Sequence, residues 1–274
     1  MATLEERFQE GIEMRTRLGG GEGRMFRGSV PAAYELAPDL YRITTECLYG
    51  SIWNRPALSM KHRAVGTLSA VVVLRSEAQI RAHLRTALNV GLTPQEIVEI
   101  LMQCTFYAGI SSGYNALLMA KEVFEEENIH YVGESTYDET ITPEELYEMG
   151  LGKHRELNPD VFGYYTVDPT SEEHDLDLLM NEYLWGAIWT RPNLDMKSRI
   201  ICALSVQVGE GRYDQWVRRT IEGGLRNGIT RGEVLELFMH LAFFVGILAA
   251  RSAMNIANTV FRSPEFSQEG SPSL

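Results

Sequence analysis

The sequence predicts an all-α protein built from two tandem helical repeats, and three observations carry that reading. First, IWNRPALSMKHRAVGTLSA, from Ile52, is answered by IWTRPNLDMKSRIICALSV, from Ile188, at an offset of 136 residues. Second, VGLTPQEIVEILMQCTFYAGISSGYNAL, from Val90, is answered by NGITRGEVLELFMHLAFFVGILAARSAM, from Asn227, at an offset of 137. A period this long, occurring twice, is a duplication and not a solenoid. Third, apolar residues recur at three- and four-residue spacing, and no segment alternates in the strand manner for long.

The elements follow in order. Residues 4–18 read as a helix stopped by the Gly19-Gly20-Gly21 run. Asp39–Trp53 and its counterpart Asp175–Trp189 have helical spacing and end in an aromatic-Gly step. Arg55-Pro56 and Arg191-Pro192 break these helices. Ser59 and Asp195, good N-cap residues, open a longer and almost wholly apolar helix reaching about residue 74 in the first repeat. A third helix over about 76–90 stops at Gly91, as its partner stops at Gly228. Thr93-Pro94-Gln95-Glu96 and Thr230-Arg231-Gly232-Glu233 both read T-x-x-E, the capping box, and open a fourth helix. That helix breaks at Gly109 or Gly246 and is followed by a last one to Phe124 or Phe261. The organisation is a first repeat over 1–124, a connector over 125–142, a second repeat over 143–262 and a tail over 263–274. Residues 125–142 and 156–174 read as acidic, Pro-containing connectors, and the tail as disordered.

Composition narrows the function. Of 274 residues, 45% are hydrophobic and 23% charged, as in a globular protein with a full core. The net charge of −12 argues against nucleic acid and anionic membrane as partners. An anionic substrate then needs locally placed Arg or Lys. Cys47, Cys104 and Cys202 form no CxxC pair, and none matches a cysteine of the other repeat. They read as reduced thiols of a cytoplasmic protein, with no cysteine metal site. The charged start MATLEERFQE has no signal segment, and the apolar run Leu241–Ala250 is half a membrane span.

No phosphate loop, dinucleotide fingerprint or nucleophile motif occurs. Candidate chemistry rests on a few His, Glu, Arg and Lys. His83 lies at the flank of an apolar stripe, as a core histidine or a proton carrier, and Thr220 stands opposite it in the second repeat. Glu96 and Glu233 are accounted for as capping-box residues, whereas Glu99 and Glu236 have no such explanation. Glu99 shares a face with Gln103, and Glu236 with His240, a carboxylate–imidazole pair suited to acid–base work. Arg55, Lys61 and Arg63 recur as Arg191, Lys197 and Arg199. They serve either as a clamp for substrate carboxylates or as salt bridges to the chain's own acids.

These motifs stand in the order YGSIWNRPALSMKHR, HLRTALNVGLTPQEIVE and FYAG, and again as WGAIWTRPNLDMKSR, GLRNGITRGEVLE and FFVG. In this the chain resembles the carboxymuconolactone decarboxylase family, across both repeats. The resemblance implies the all-helical fold of carboxymuconolactone decarboxylases and alkyl hydroperoxidase D-like proteins. It implies a hexameric ring, which a two-repeat chain completes as a homotrimer. It also implies cofactor-free loss of CO₂ from a carboxylated unsaturated lactone or oxo acid, within aromatic-compound breakdown. His83, His240, Glu96 and Glu99 fall on the family's histidines and glutamates. The peroxidase branch needs a CxxC where Ser76 and Gln79 stand, so thiol chemistry is excluded.

The resulting expectation is a decarboxylase with catalytic residues His83, Glu99, Glu96, His240 and Glu236. Arg55, Lys61, Arg63, Tyr107, Arg191 and Arg199 hold a small anionic organic substrate, without cofactor or metal. Arg55 and Arg63 form the clamp, His83 delivers the proton and Glu99 orients. The histidines are split between repeats, with Thr220 and Gln103 opposite them. Two specialised half-sites, or one active and one structural repeat, both produce that pattern. A non-catalytic ring-forming or small-molecule-binding protein of the same fold is the alternative. Phe238, Leu241, Phe244, Val245 and Leu248 run at three- and four-residue spacing on a helix apolar on more faces than a small helical domain covers, so cover by the other repeat and by other chains, and hence oligomerisation, is expected.

Overall fold

The computed structural model describes residues 2–19, 29–159, 170–212 and 215–267, and among these every regular element is helical. Part of the expected glycine stop (Gly20, Gly21), most of the connector over 156–174 and the end of the tail lie outside them. The first repeat runs α1 (Leu4–Gly19), α2 (Ser29–Leu36), α3 (Pro38–Thr44), a π-helical stretch (Thr45–Ile52), α4 (Met60–Val73), α5 (Glu77–Asn89), α6 (Pro94–Ala108) and α7 (Ile110–Glu126). The second runs α8 (Pro143–Leu157), α9 (His174–Leu179), a π-helical stretch (Met180–Ile188), α10 (Met196–Gly209), α11 (Gln215–Arg226), α12 (Arg231–Val245) and α13 (Ile247–Phe261). The tandem architecture read from the sequence is therefore the observed one.

The caps act as their residue types dictate. Ser59 Oγ accepts from the His62 amide at 3.1 Å, and Asp195 Oδ1 from the Ser198 amide at 2.9 Å. Thr93 with Glu96 and Thr230 with Glu233 close reciprocal capping boxes. Gly109 and Gly246 sit at φ of 90° and 99°, so α6 turns into α7, and α12 into α13, at a glycine.

The helix expected over Asp39–Trp53 is a short α-helix followed by a π-helical stretch, and the same holds at Asp175–Trp189. A π-helix takes in extra residues per turn, so an apolar stripe counted at 3.6 slips through it. Each stretch packs directly on the first helix of its own repeat. A Cβ on Gly50 would come within 1.9 Å of the Arg7 carbonyl oxygen, and one on Gly186 within 2.2 Å of that of Leu146. The aromatic-Gly step is thus a helix crossing with no room for a side chain.

The two repeats share one apolar core. The almost wholly buried helices α4 and α10 pack against each other at its centre. Helix α4 also packs on α12, and α10 on α6. Because α12 and α6 carry Glu236 and Glu99, this cross-repeat packing decides which arginine meets which carboxylate. It also brings Cys104 and Cys202 to 3.6 Å between sulfurs, a proximity that their sequence positions do not reveal.

Candidate active site

Two polar clusters flank the central helices, and each draws on both repeats. In the first, buried Glu236 accepts from Arg63 Nη2 at 2.6 Å and from Arg55 Nε. Arg63 is fully buried, and its guanidinium also donates to the Leu58 and Arg55 carbonyls at 3.2 and 2.9 Å. In the second, Arg191 donates to both Glu99 oxygens at 2.8–3.0 Å, and Arg199 Nη2 to Oε2 at 3.2 Å. Gln103 completes that cluster, accepting from Arg199 Nη1 at 3.1 Å and donating to the Arg199 carbonyl at 2.8 Å. Burial works to raise the Glu99 carboxyl's pKa, but the hydrogen bonds and charges of Arg191 and Arg199 outweigh it and hold it below the usual value.

This pairing corrects the constellation expected from the sequence. Arg55 and Arg63 meet Glu236, not Glu99, because equivalence by offset says nothing about which helices touch. Glu236 and His240, expected as a pair, have separate partners: the arginines for one, and for the other Thr67, whose Oγ1 is 2.6 Å from His240 Nε2. Lys61 donates to Glu96 at 2.7 Å, and Lys197 to Glu233 at 2.8 Å. The matched cations are thus held by the chain's own carboxylates, as the salt-bridge reading of them required.

The histidines separated by sequence come together. His83 on α5 stands edge-on to Phe244 at 5.4 Å between ring centroids, and His240 meets the same ring at 5.1 Å. His240 also packs edge-on against buried Trp53 at 4.8 Å. Burial lowers the His83 pKa to about 3. His240 is pushed well below its ordinary value by burial first, and then by the charge of Arg63. Both rings are neutral at neutral pH.

His83 and Phe244 line a cavity of about 340 Å³, together with Arg15, Tyr41 and Tyr49. Arg15 is half-buried, lies 4.9 Å over each of the two tyrosine rings and donates to Thr45 Oγ1 at 2.8 Å. It is the cation in this wall, and it was not among the sequence candidates because nothing in the offset comparison aligned it. Aligned on the glycine crossings instead, with Gly11 against Thr45 and Gly150 against Asn181, Arg15 matches His154 of α8.

A second cavity, of about 640 Å³, is the repeat-related counterpart of the first. Trp185 replaces Tyr49 in it, Thr220 replaces His83, Tyr107 replaces Phe244 and Gln207 replaces Val71. Tyr107 accepts from Trp189 Nε1 at 3.1 Å, and Trp189 stacks on Trp185 at 4.8 Å. Among the described residues of this wall there is no histidine.

The sequence profile of the Carboxymuconolactone decarboxylase family matches residues 38–122 and 175–259. The chain belongs to the carboxymuconolactone decarboxylase family. It is 32% identical over 122 residues to 4-carboxymuconolactone decarboxylase of Acinetobacter baylyi, covering 44% of this chain and 90% of that protein. It is 28% identical over 115 residues to nitrosuccinic acid decarboxylase of Metarhizium robertsii, covering 42% and 79%. Both alignments have about the length of one repeat. A crystal structure from Burkholderia xenovorans, assigned as a gamma-carboxymuconolactone decarboxylase subunit, superposes over 95% of this chain and 98% of its own. The TM-score is 0.50 at 21% identity, a likeness of fold.

Proposed function

We propose that the chain is a cofactor-independent decarboxylase of a small carboxylated lactone or oxo acid, and that the reaction takes place in the cavity lined by His83. One observation carries this reading: of the two related cavities, one has His83 of the first repeat in its wall, His240 of the second packed on its Phe244, and a cation, Arg15, beside them. The family relatives named as decarboxylases of 4-carboxymuconolactone and nitrosuccinic acid support the reaction class.

The chemistry follows from the charge state of the site. An empty cavity this buried holds His83 neutral. A substrate carboxylate that binds beside Arg15 supplies the missing negative charge, and the low dielectric that forbids a lone imidazolium then favours a paired one. His83 takes up a proton as the substrate enters. The bond to the departing carboxylate breaks, its electron pair passes into the substrate's own carbonyl or unsaturated lactone, and CO₂ leaves. His83 gives its proton to the resulting carbanion and returns to neutral. The electron sink belongs to the substrate, so this route needs no cofactor. His240, fixed by Thr67, Trp53 and Phe244, acts as a positioning residue, and the Glu236 cluster holds the helices that carry it.

CO₂ release from a panel of carboxymuconolactones and related oxo acids tests the proposal. His83→Ala is expected to lower kcat by at least about a hundredfold with an unchanged helical circular dichroism spectrum. Arg15→Gln is expected to raise KM more than it lowers kcat. Undiminished turnover in His83→Ala would remove this histidine from the reaction.

The exposed apolar side chains favour assembly as well. Phe238 and Leu241 of the expected face are buried within the chain, but Leu248 is 82% exposed, with Ile247 beside it and Ile110 at the position matching Ile247 also in water. A homotrimer with six related positions would cover such faces.

A further inference from the structure

The second cavity has features that the proton-transfer reading does not use. It is the larger of the two, and three of the chain's four tryptophans, Trp185, Trp189 and Trp216, stand in its wall. Each residue that gives the first cavity its chemistry has a counterpart here without it. His83 becomes Thr220, and Arg15 becomes His154, which lies behind Trp185 and not in the wall; the arginines in the wall, Arg212 and Arg219, carry no proton that moves near neutral pH. The His154 ring packs 3.9 Å from Trp185 and is held neutral by burial, with a pKa of about 3. The cluster behind this cavity is closed, because Glu99 is fully buried and saturated by Arg191 and Arg199. Such a site is built for binding a flat apolar body rather than for moving a proton.

One polar group in the wall indicates what that body carries. Gln207, on the otherwise apolar helix α10, replaces the Val71 of the first repeat and is only 6% exposed. Its amide orientation is fixed by a chain of hydrogen bonds. The Thr220 hydroxyl donates to the Trp216 carbonyl at 2.9 Å, so toward Gln207 it accepts, from Nε2 at 3.1 Å. The NH₂ group therefore faces Thr220. The other end, Oε1, is buried and accepts no hydrogen bond among the described residues. A buried acceptor left without a donor is costly, and Val71 shows that the fold does not need one here.

We infer that the tryptophan-lined cavity of the second repeat is a non-catalytic binding site for a planar aromatic ligand bearing a hydroxyl group, whose O–H is donated to Gln207 Oε1. The ring lies among Trp185, Trp189 and Trp216, and the Glu210–Arg212 pair, 3.8 Å apart, stands at the same wall. The site does not depend on the reaction proposed for the His83 cavity, and its test involves no turnover.

Isothermal titration calorimetry of the full chain with 2-naphthol and with its methyl ether, 2-methoxynaphthalene, separates the possibilities. The two probes have the same ring system, but only the first has a donor. The wild-type chain is expected to bind 2-naphthol about tenfold more tightly than the ether. Gln207→Val, which restores the first repeat's residue, is expected to bind both probes alike. His83→Ala is expected to bind both as the wild type does, which assigns the heat to the second cavity. Equal affinity of the two probes for the wild type overturns the inference, as does no binding at all. A preference retained in Gln207→Val, or lost in His83→Ala, also overturns it. Circular dichroism of Gln207→Val matching the wild type ensures that a loss of preference is not a loss of fold.

Discussion

At the scale of single residues, burial decides which charges matter. Glu236 and Arg63 are both out of solvent, so replacing Glu236 by Gln leaves a buried guanidinium without its counter-charge. We expect Glu236→Gln to cost about 3–5 kcal/mol in urea unfolding. Lys61→Ala, which removes a partly exposed ion pair, should cost no more than about 1 kcal/mol. Equal costs would mean that the first cluster is solvated. The His83 pKa has its own signature. Below pH 6.5 the unfolded chain protonates this histidine, whereas the folded chain does not until about pH 3. Stability must therefore fall as pH falls through that window, by about 1.4 kcal/mol per pH unit from this group. The slope of unfolding free energy against pH between 6 and 4 should be shallower in His83→Ala by that amount, and an unchanged slope would show that His83 is already charged in the fold. The sequence made His83 visible as a candidate, yet Arg15 was missed. Its role depends on stacking over Tyr41 and Tyr49, and no spacing rule connects residue 15 to residue 49.

At the scale of elements, the helix boundaries were legible because capping is local. Ser59, Asp195 and the two T-x-x-E boxes each act on an amide three residues away. The π-helical stretches were not legible, since a stripe counted at 3.6 residues per turn does not register their extra residues. The glycines where the first helix of each repeat crosses them record the contact. Gly50→Ala would drive a methyl group into the Arg7 backbone, which no rotamer change relieves. We expect a loss of at least about 2 kcal/mol, read from the urea midpoint. A neutral result would mean that α1 can back away from the π-helical stretch. The cross-repeat pairing of Arg55 with Glu236 was hidden for another reason. A duplication reveals which positions correspond, but which of them touch is settled by how α4 meets α12.

For the whole molecule, duplication has produced two related cavities with different contents: one with two nearby histidines, the other with three tryptophans and a glutamine. His83 and His240, which belong to different repeats, converge because each cavity borrows a helix from the opposite repeat. Apolar residues left in water at Leu248, Ile247 and Ile110 set the expectation for assembly. Light scattering at micromolar concentration should give three times the 30.9 kDa chain, and a monomer would contradict the ring.

The reaction proposed for the first cavity depends on His83 being neutral when the cavity is empty and charged beside a bound carboxylate. Proton uptake measures that change directly. Binding of a carboxylate analogue that cannot lose CO₂, titrated at pH 7 in buffers of differing ionisation enthalpy, should take up close to one proton per site in the wild-type chain and close to none in His83→Ala. Tight binding to the wild type with no proton uptake would contradict the proposed role of His83.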